Sequence, residues 1–171
     1  MTQRVELATV MDRLAVDAVV TAYAVAVDDG DWSAYEALFT PDGRADYRSA
    51  GGIEGPAREV CGWLAEMLTL FPVRQHLIVN RRLRLEELDG NSGDGAELRA
   101  DYLSPMRLER TPDDRTGEEP AGSFAPNFVT GGRYTFRLLR SAEADDDSFG
   151  SWRVHRVTVH EKWRRTGAGI V

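Results

Sequence analysis

The stretch AELRADYLSPMRLER, residues 96–110, alternates apolar and polar side chains over most of its length. Successive side chains of a β-strand point to opposite faces, so the apolar residues of this stretch would share one face. These residues are Ala96, Leu98, Ala100, Tyr102, Met106 and Leu108. The stretch therefore predicts a long strand that turns one face toward a hydrophobic core.

Three more runs have a strand-like composition, at 75–88, 128–140 and 152–163. The segments that join the four runs are rich in Asp, Gly, Ser or Pro, which suits hairpin connections. The second half of the chain therefore predicts an antiparallel meander.

The connection 111–127 is longer than a hairpin usually needs, and it contains three prolines and four carboxylates. Loops of this length are usually either functional or disordered. Phe124 and Phe128 lie in or beside it. Two roles stay open from the sequence: a disordered surface loop and a lid over a pocket.

Helices are predicted before the strands. Residues 9–29 contain no Gly or Pro and place apolar residues at helical spacing, and Gly30 would end that helix. A second, short helix is predicted at 32–39 and a third at 56–70. Helices that come first and a meander that follows indicate an α+β fold, in which three helices pack on one face of a strongly curved, mostly antiparallel sheet.

Length and charge restrict the class of protein. The chain has 171 residues and a net charge of -7 at pH 7, which suits one domain over residues 1–171. An acidic chain lacks the clustered basic face that binds nucleic-acid phosphates. It also has no run of about 18 apolar residues and no signal pattern, so we expect a cytoplasmic protein without nucleic-acid or membrane partners.

Asp28 is the first candidate for chemistry. It follows an apolar helix and lies one turn from Ala24 and Val25, so it is expected to point toward the core side. A carboxylate in that position is partly desolvated, which strengthens it as a base. The alternative is that Asp28, Asp29 and Asp31 form no more than a polar helix end.

His76 is the second candidate. It opens the predicted strand 75–88 and would share a face with Ile78 and Asn80, which could look toward a cavity. Histidine is the commonest general acid or base near neutral pH. A lone histidine on a strand is more often structural than catalytic. Pairing with an aspartate would favour the catalytic role, because the carboxylate fixes the tautomer of the ring.

Further groups could bind a substrate. Tyr47 falls on a short first strand that is predicted at 44–48, after a turn at 41–43, and Tyr102 and Tyr134 fall on the longer predicted strands. In each place a phenol can donate a hydrogen bond to a substrate oxygen or fill the core. His155 and His160 would face opposite sides of one strand, and there is no phosphate-binding glycine loop. We therefore expect neither a metal nor an organic cofactor.

Six short segments, in this order, resemble the SnoaL-like branch of the NTF2-like superfamily. They are VDDGDW at 27–32, LFTPDG at 38–43, DYRS at 46–49, QHLI at 75–78, GGRY at 131–134 and GSWR at 150–153. Together they span most of the chain. The resemblance implies a cone-shaped domain of three helices on a curved mixed sheet, and assembly as a homodimer or homotrimer.

Within that branch, the segments around Asp28, Tyr47 and His76 are similar to those of scytalone dehydratases, although Val27 stands where those enzymes have a tyrosine. The resemblance implies acid/base chemistry without a cofactor on a small hydrophobic ring that carries a carbonyl group, of polyketide-like or steroid-like type. Asp28 and His76 would move the proton and Tyr47 would polarise the carbonyl. The expected substrate-binding residues are Tyr134, Trp63, Met106, Tyr102, Phe128 and Asn80.

Two other functions fit the same resemblance. A non-catalytic assembly subunit, like the small subunit of ring-hydroxylating dioxygenases, would use Asp28 and His76 structurally. A ligand-binding protein with a degenerate site would bind its ligand without turnover. The catalytic reading predicts an elimination, an isomerisation or a ring closure, because one dyad can serve all three.

Overall fold

The computed structural model describes residues 2–88, 91–109, 125–141 and 148–167. The helices are α1 (Thr2–Asp29), α2 (Trp32–Ala37) and α3 (Ala57–Met67), with short 3₁₀ turns at Arg48–Ala50 and Leu68–Leu70. The strands are β1 (Phe39–Asp46), β2 (Glu54–Pro56), β3 (Val73–Arg74), β4 (Leu77–Leu88), β5 (Asn91–Arg107), β6 (Phe128–Arg140) and β7 (Ser148–Thr166). None of the helices in these ranges is long and apolar enough to cross a membrane.

The strands form one mixed sheet in the order β2-β1-β7-β6-β5-β3, and β4 also pairs with β5. The β1–β7 pair is parallel, whereas the other pairs are antiparallel. The predicted α+β fold, with three helices on a mixed and mostly antiparallel sheet, is therefore confirmed.

The predicted boundaries change in two places. The first strand was expected to begin after a turn at 41–43, but β1 begins at Phe39 and runs through that segment with an irregular register between Phe39 and Arg44. The parallel pairing with β7 holds this irregular segment in the sheet. Helix α1 begins near the start of the chain, so it is also longer than the pattern from Thr9 indicated.

The core lies between α1 and the inner face of the sheet. The apolar alternation of β5 is confirmed, because Ala96, Leu98, Ala100, Tyr102 and Met106 are all buried. The helix contributes Val16, Val19, Val20, Tyr23 and Val27 to the same core. Full burial of a side chain of valine size contributes about 1.5–3 kcal/mol, so this contact is the main reason why α1 stays on the sheet.

Strands β3 and β4 follow one another along the same edge of β5, with Val73 opposite Arg107 and Leu77 opposite Leu103. Residues 75 and 76 lie between the two strands and leave the regular ladder. This break frees the backbone N–H of His76 for a different partner. The last turn of α1 supplies that partner.

Candidate active site

A cavity of about 340 Å³ lies between the inner face of the sheet, α3 and the end of α1. Most of its wall is apolar and includes Trp63, Leu64, Met67, Phe71 and Met106. Its buried end carries the polar side chains of three tyrosines and His76. This volume suits one small organic ligand, because such sites are commonly a few hundred Å³ and mostly apolar.

His76 is bound to Asp28 through both its ring and its backbone. The ring Nδ1 lies 2.5 Å from Oδ1 of Asp28, and the backbone N–H donates to Oδ2 at 2.8 Å. The two side chains are only 11% and 19% exposed. Because an ionised carboxylate only accepts, Nδ1 must carry the proton, which leaves Nε2 as the free base of the neutral ring.

Only His76 of this pair borders the cavity, whereas Asp28 lies behind it. The arrangement separates the two roles. In such an arrangement a carboxylate in the place of Asp28 can orient the ring and stabilise a positive charge on it, and His76 is the group that can reach a ligand.

Arg74 holds the end of α1 in place. Its Nε donates to the carbonyl oxygen of Val27 at 3.0 Å, and its Nη1 donates to the carbonyl oxygens of Leu68 and Phe71 at 3.1 and 3.2 Å. Val27 directly precedes Asp28 in the chain. The guanidinium thus ties the carboxylate-bearing turn to the segment that lines the cavity.

Gly30 is required at this junction for two reasons. Its φ of +69° lies in the left-handed region, and a Cβ at this position would come 2.8 Å from Nη2 of Arg74. A side chain here would strain the turn after α1 and push the guanidinium away.

The tyrosines are neutral hydrogen-bond donors. Burial raises the pKa of Tyr47 and of Tyr134 well above that of an ordinary phenol. Burial, followed by the charge of Glu161, raises the pKa of Tyr102 to about 12. All three phenols therefore keep their protons across the physiological range.

Tyr23 stands behind this group and was not predicted as a site residue. Its hydroxyl is hydrogen-bonded to that of Tyr47, and its ring packs edge-on to that of Tyr134. Tyr23 lies four residues before Val27, so both residues are on one face of α1. That spacing alone does not distinguish Tyr23 from an ordinary core tyrosine, so the sequence carried no separate signal for it.

A bidentate ion pair lies at the more exposed end of the cavity. Arg164 donates from Nε to Oε1 of Glu161 at 2.6 Å and from Nη2 to Oε2 at 3.0 Å, and Nη2 also donates to the carbonyl oxygen of Ala50. Both side chains line the cavity. Residues three apart on a regular strand face opposite sides. In β7, however, an extra residue, Lys162, lies between the pairs Gly132–Glu161 and Gly131–Trp163. This bulge places Glu161 and Arg164 on the same side of the strand.

Most of the predicted site residues meet around this cavity. Tyr47, Trp63, His76, Tyr102, Met106, Phe128 and Tyr134 all border it. The lid prediction falls mainly on residues 110–124, including Phe124, and these lie outside the described residues.

The expectation that Asn80 shares a face with His76 and Ile78 was wrong. Asn80 has a φ of +52° and lies at a bulge where the register shifts between Val79 and Arg82. The extra residue reverses the alternation of faces. The Asn80 side chain therefore lies on the outer side of the sheet, where it donates to Asp101.

Known proteins with a similar sequence support one family. A model of the SnoaL-like domain matches residues 8–158. The uncharacterized protein Rv2910c of Mycobacterium tuberculosis is 33% identical over 100 residues, which are 58% of this chain and 64% of that protein. The match thus spans less than two thirds of the relative.

Solved structures share the fold over nearly the whole chain. The hexachlorocyclohexane dehydrochlorinase LinA-type3 from Novosphingobium barchaimii has a TM-score of 0.70 and 17% identity, with 96% of each chain covered. A provisionally named scytalone dehydratase from Novosphingobium aromaticivorans has a TM-score of 0.66 and 19% identity, with 99% of this chain and 97% of that chain covered. At these identities the likeness demonstrates the fold alone.

Proposed function

This chain belongs to the SnoaL-like domain family, and from that premise we propose that it is a lyase. The proposed reaction removes a proton beside the carbonyl group of a small hydrophobic ring and then eliminates a leaving group. One observation carries the proposal: His76 lines an apolar cavity while Asp28 holds its Nδ1, which leaves Nε2 as the free base of the neutral ring. The names of two structural neighbours, a dehydrochlorinase and a provisional dehydratase, also describe eliminations.

The first step is proton transfer to His76. Nε2 takes the proton from the carbon beside the carbonyl, and the electron pair of the broken C–H bond moves onto the carbonyl oxygen. The imidazolium that forms is stabilised by the carboxylate of Asp28. A positioned base of this kind typically accelerates a reaction by about 10²–10⁴-fold.

The tyrosines would stabilise the negative charge on the oxygen. Tyr47 and Tyr134 are buried, border the cavity and stay protonated, so each can donate a hydrogen bond to an enolate. Tyr23 fixes the hydroxyl of Tyr47 from behind. Preorganised donors need little rearrangement when the charge appears.

The second step returns the proton. The electron pair of the enolate re-forms the carbonyl and makes a carbon–carbon double bond as the leaving group departs. The imidazolium of His76 then donates its proton to the departing oxygen, so a hydroxyl leaves as water. If no group leaves, the same proton returns to carbon, and the outcome is isomerisation.

The wall of the cavity suits a ring substrate. Trp63, Met106 and Phe128 provide apolar contact, whereas the pair of Glu161 and Arg164 offers one acceptor and one donor at the exposed end. A polar substituent far from the reacting carbon would bind there. The substrate class is therefore a polyketide-like or steroid-like ring.

Hydrogen–deuterium exchange tests the proposal without knowledge of the natural substrate. β-Tetralone, a two-ring ketone, is incubated with the protein in deuterium oxide, and loss of the α-proton signal is followed by NMR. We expect exchange well above the buffer rate for the wild type and near the buffer rate for His76→Gln. Equal exchange by both proteins would reject the acid/base role and favour a binding or assembly role.

A further inference from the structure

The hydroxyl group of Ser104 is buried without a partner. Ser104 is 1% exposed, and its Oγ makes no hydrogen bond within the part of the chain that the structure describes. The hydroxyl of Tyr35 is the second buried side-chain group of this kind there. An unsatisfied buried hydroxyl costs stability, so its presence is better explained by function than by the fold.

The register of the sheet places Ser104 directly opposite His76. Strand β3 and the start of β4 pair with β5 in the same register, with no residue inserted between them. The backbone N–H of Gln75 follows that register and donates to the carbonyl oxygen of Pro105 at 3.2 Å. The next pair along the two strands is therefore His76 and Ser104. The Cβ atoms of such a pair are about 4.5–5.5 Å apart, and both side chains lie on one face of the sheet.

That face is the floor of the cavity. Ser104 alternates with Tyr102 and Met106 on β5, and its partner on β6 is Thr130. These three neighbours and His76 all border the cavity. Ser104 lies among them and is covered by them, so its hydroxyl belongs to the polar end of the site but is shielded from bulk water.

The proposed reaction changes what the ring of His76 requires. The neutral ring donates only from Nδ1, to Asp28, whereas the imidazolium also has a donor at Nε2. This second N–H needs an acceptor from the time the substrate gives up its proton until that proton is returned. In a largely apolar site, a charged donor without an acceptor is costly.

Ser104 is suited to be that acceptor. The phenols of Tyr47 and Tyr134 donate to the substrate oxygen in the proposed reaction, and the hydroxyl of Tyr47 is also bonded to that of Tyr23. The hydroxyl oxygen of Ser104 has no such commitment, and both of its lone pairs are free.

We propose that Ser104 is a positioning residue for His76, whose hydroxyl oxygen accepts the Nε2–H of the imidazolium and holds the ring between the two proton transfers. The role rests on the proposed function, because the imidazolium forms only when His76 takes the proton. Ser104 makes and breaks no covalent bond, and the proton stays on Nε2 until it is returned. The neutral ring has no proton there, which explains why the hydroxyl is unpartnered in the resting protein.

Ser104→Ala separates this role from a structural one. Removal of an unpartnered buried hydroxyl should leave the midpoint of denaturant unfolding unchanged or higher. The exchange rate of β-tetralone should nevertheless fall by about 10-fold or more, the effect of losing a hydrogen bond to a charged group. A wild-type rate, or a loss of stability together with the loss of rate, would overturn the proposal.

Tyr35→Phe is the matched control. It removes the other unpartnered buried hydroxyl, which belongs to a residue that does not border the cavity. We expect the same unchanged or higher midpoint as for Ser104→Ala, but an exchange rate equal to that of the wild type. An equal loss of rate in both variants would reject a specific role of Ser104.

Proton NMR of His76 in mildly acidic solution tests the contact without any substrate. In the doubly protonated ring of the wild type, the Nε2–H should give a resolved signal, because a hydrogen bond to a buried oxygen slows its exchange with water. His76→Gln identifies this signal, and Ser104→Ala should lose it. A signal that is missing from the wild type or unchanged in Ser104→Ala would overturn the proposal.

The two measurements distinguish failure of this role from failure of the proposed function. A wild type that does not exchange β-tetralone, but whose Nε2–H signal depends on Ser104, would reject the lyase and support the contact. A wild type that exchanges β-tetralone as fast as Ser104→Ala would support the acid/base role of His76 and reject that of Ser104.

Discussion

One carboxylate, that of Asp28, accepts both the ring Nδ1–H and the backbone N–H of His76, at 2.5 and 2.8 Å. The double contact fixes the position of the ring as well as its tautomer. It exists because His76 lies in the gap between β3 and β4, where its N–H is not used by the sheet. The helix end and the strand gap together create the dyad.

Removing the charge of Asp28 should abolish most activity while the fold is kept. In Asp28→Asn an amide can donate to Nδ1, which moves the ring proton to Nε2 and removes the base from the cavity. We expect the exchange rate of β-tetralone to fall by about 100-fold or more. Asp29→Asn, an exposed neighbour on the same helix end, is the control and should retain the wild-type rate.

Arg74→Met should reduce both stability and activity. The change removes the side-chain donor of the carbonyl oxygens of Val27 and Phe71, whereas that of Leu68 keeps the backbone N–H of Phe71. A partly buried group that loses its partner costs about 1–3 kcal/mol, which denaturant unfolding can measure. Arg84→Met, which breaks an exposed pair with Glu86, should change stability by less than about 1 kcal/mol.

The positioning role of Arg74 requires a second readout, because lost stability alone would fit a purely structural role. At a temperature where Arg74→Met is fully folded, its exchange rate should still be below that of the wild type. An unchanged rate would mean that Arg74 supports the fold but not the position of Asp28.

Two glycines near the cavity should respond in opposite ways to alanine. A Cβ at Gly52 would lie 2.9 Å from Cβ of Tyr47 and would collide with the indole of Trp63, whereas a Cβ at Gly62 would contact nothing within 4 Å. Gly52→Ala should lower the free energy of unfolding by about 1–3 kcal/mol and displace Trp63. Gly62→Ala, inside α3, should raise it by about 0.5–1 kcal/mol. Equal effects in denaturant unfolding would contradict this packing.

Stability should decrease in alkaline solution because of Tyr102. Its folded-state pKa of about 12 lies above the ordinary value of 10.0, so the folded protein retains a proton that the unfolded chain releases. The contribution is complete below about pH 10 and is lost as the pH rises toward 12. Denaturant unfolding across this range should show a smaller decrease for Tyr102→Phe, and an identical decrease would contradict the assignment.

The sequence was sufficient to predict the layers of the fold and the two residues of the dyad. The helical spacing before Asp28 and the strand pattern after His76 both depend on local periodicity, which a sequence displays directly. That the two residues meet depends on the gap between β3 and β4. No local pattern in the predicted strand 75–88 indicated this gap.

β-Bulges account for the strand residues whose side-chain direction was predicted wrongly. The extra residue at Asn80 turned a predicted cavity residue to the outside, and the extra residue Lys162 brought both Glu161 and Arg164 to the cavity. Strict alternation predicts the opposite in each case. Tyr23 was missed for another reason, since a fully buried aromatic residue is not distinguishable from ordinary core until its hydroxyl partner, Tyr47, is known.

The nitrogen NMR spectrum of His76 tests the central claim most directly. His76→Gln identifies its signals among those of the three histidines, and β-naphthol serves as a stable mimic of the enolate. We expect a proton on Nδ1 and none on Nε2 in the neutral ring, and a change at Nε2 when β-naphthol binds. A neutral ring protonated at Nε2, or an Nε2 signal that ignores the bound ligand, would contradict it.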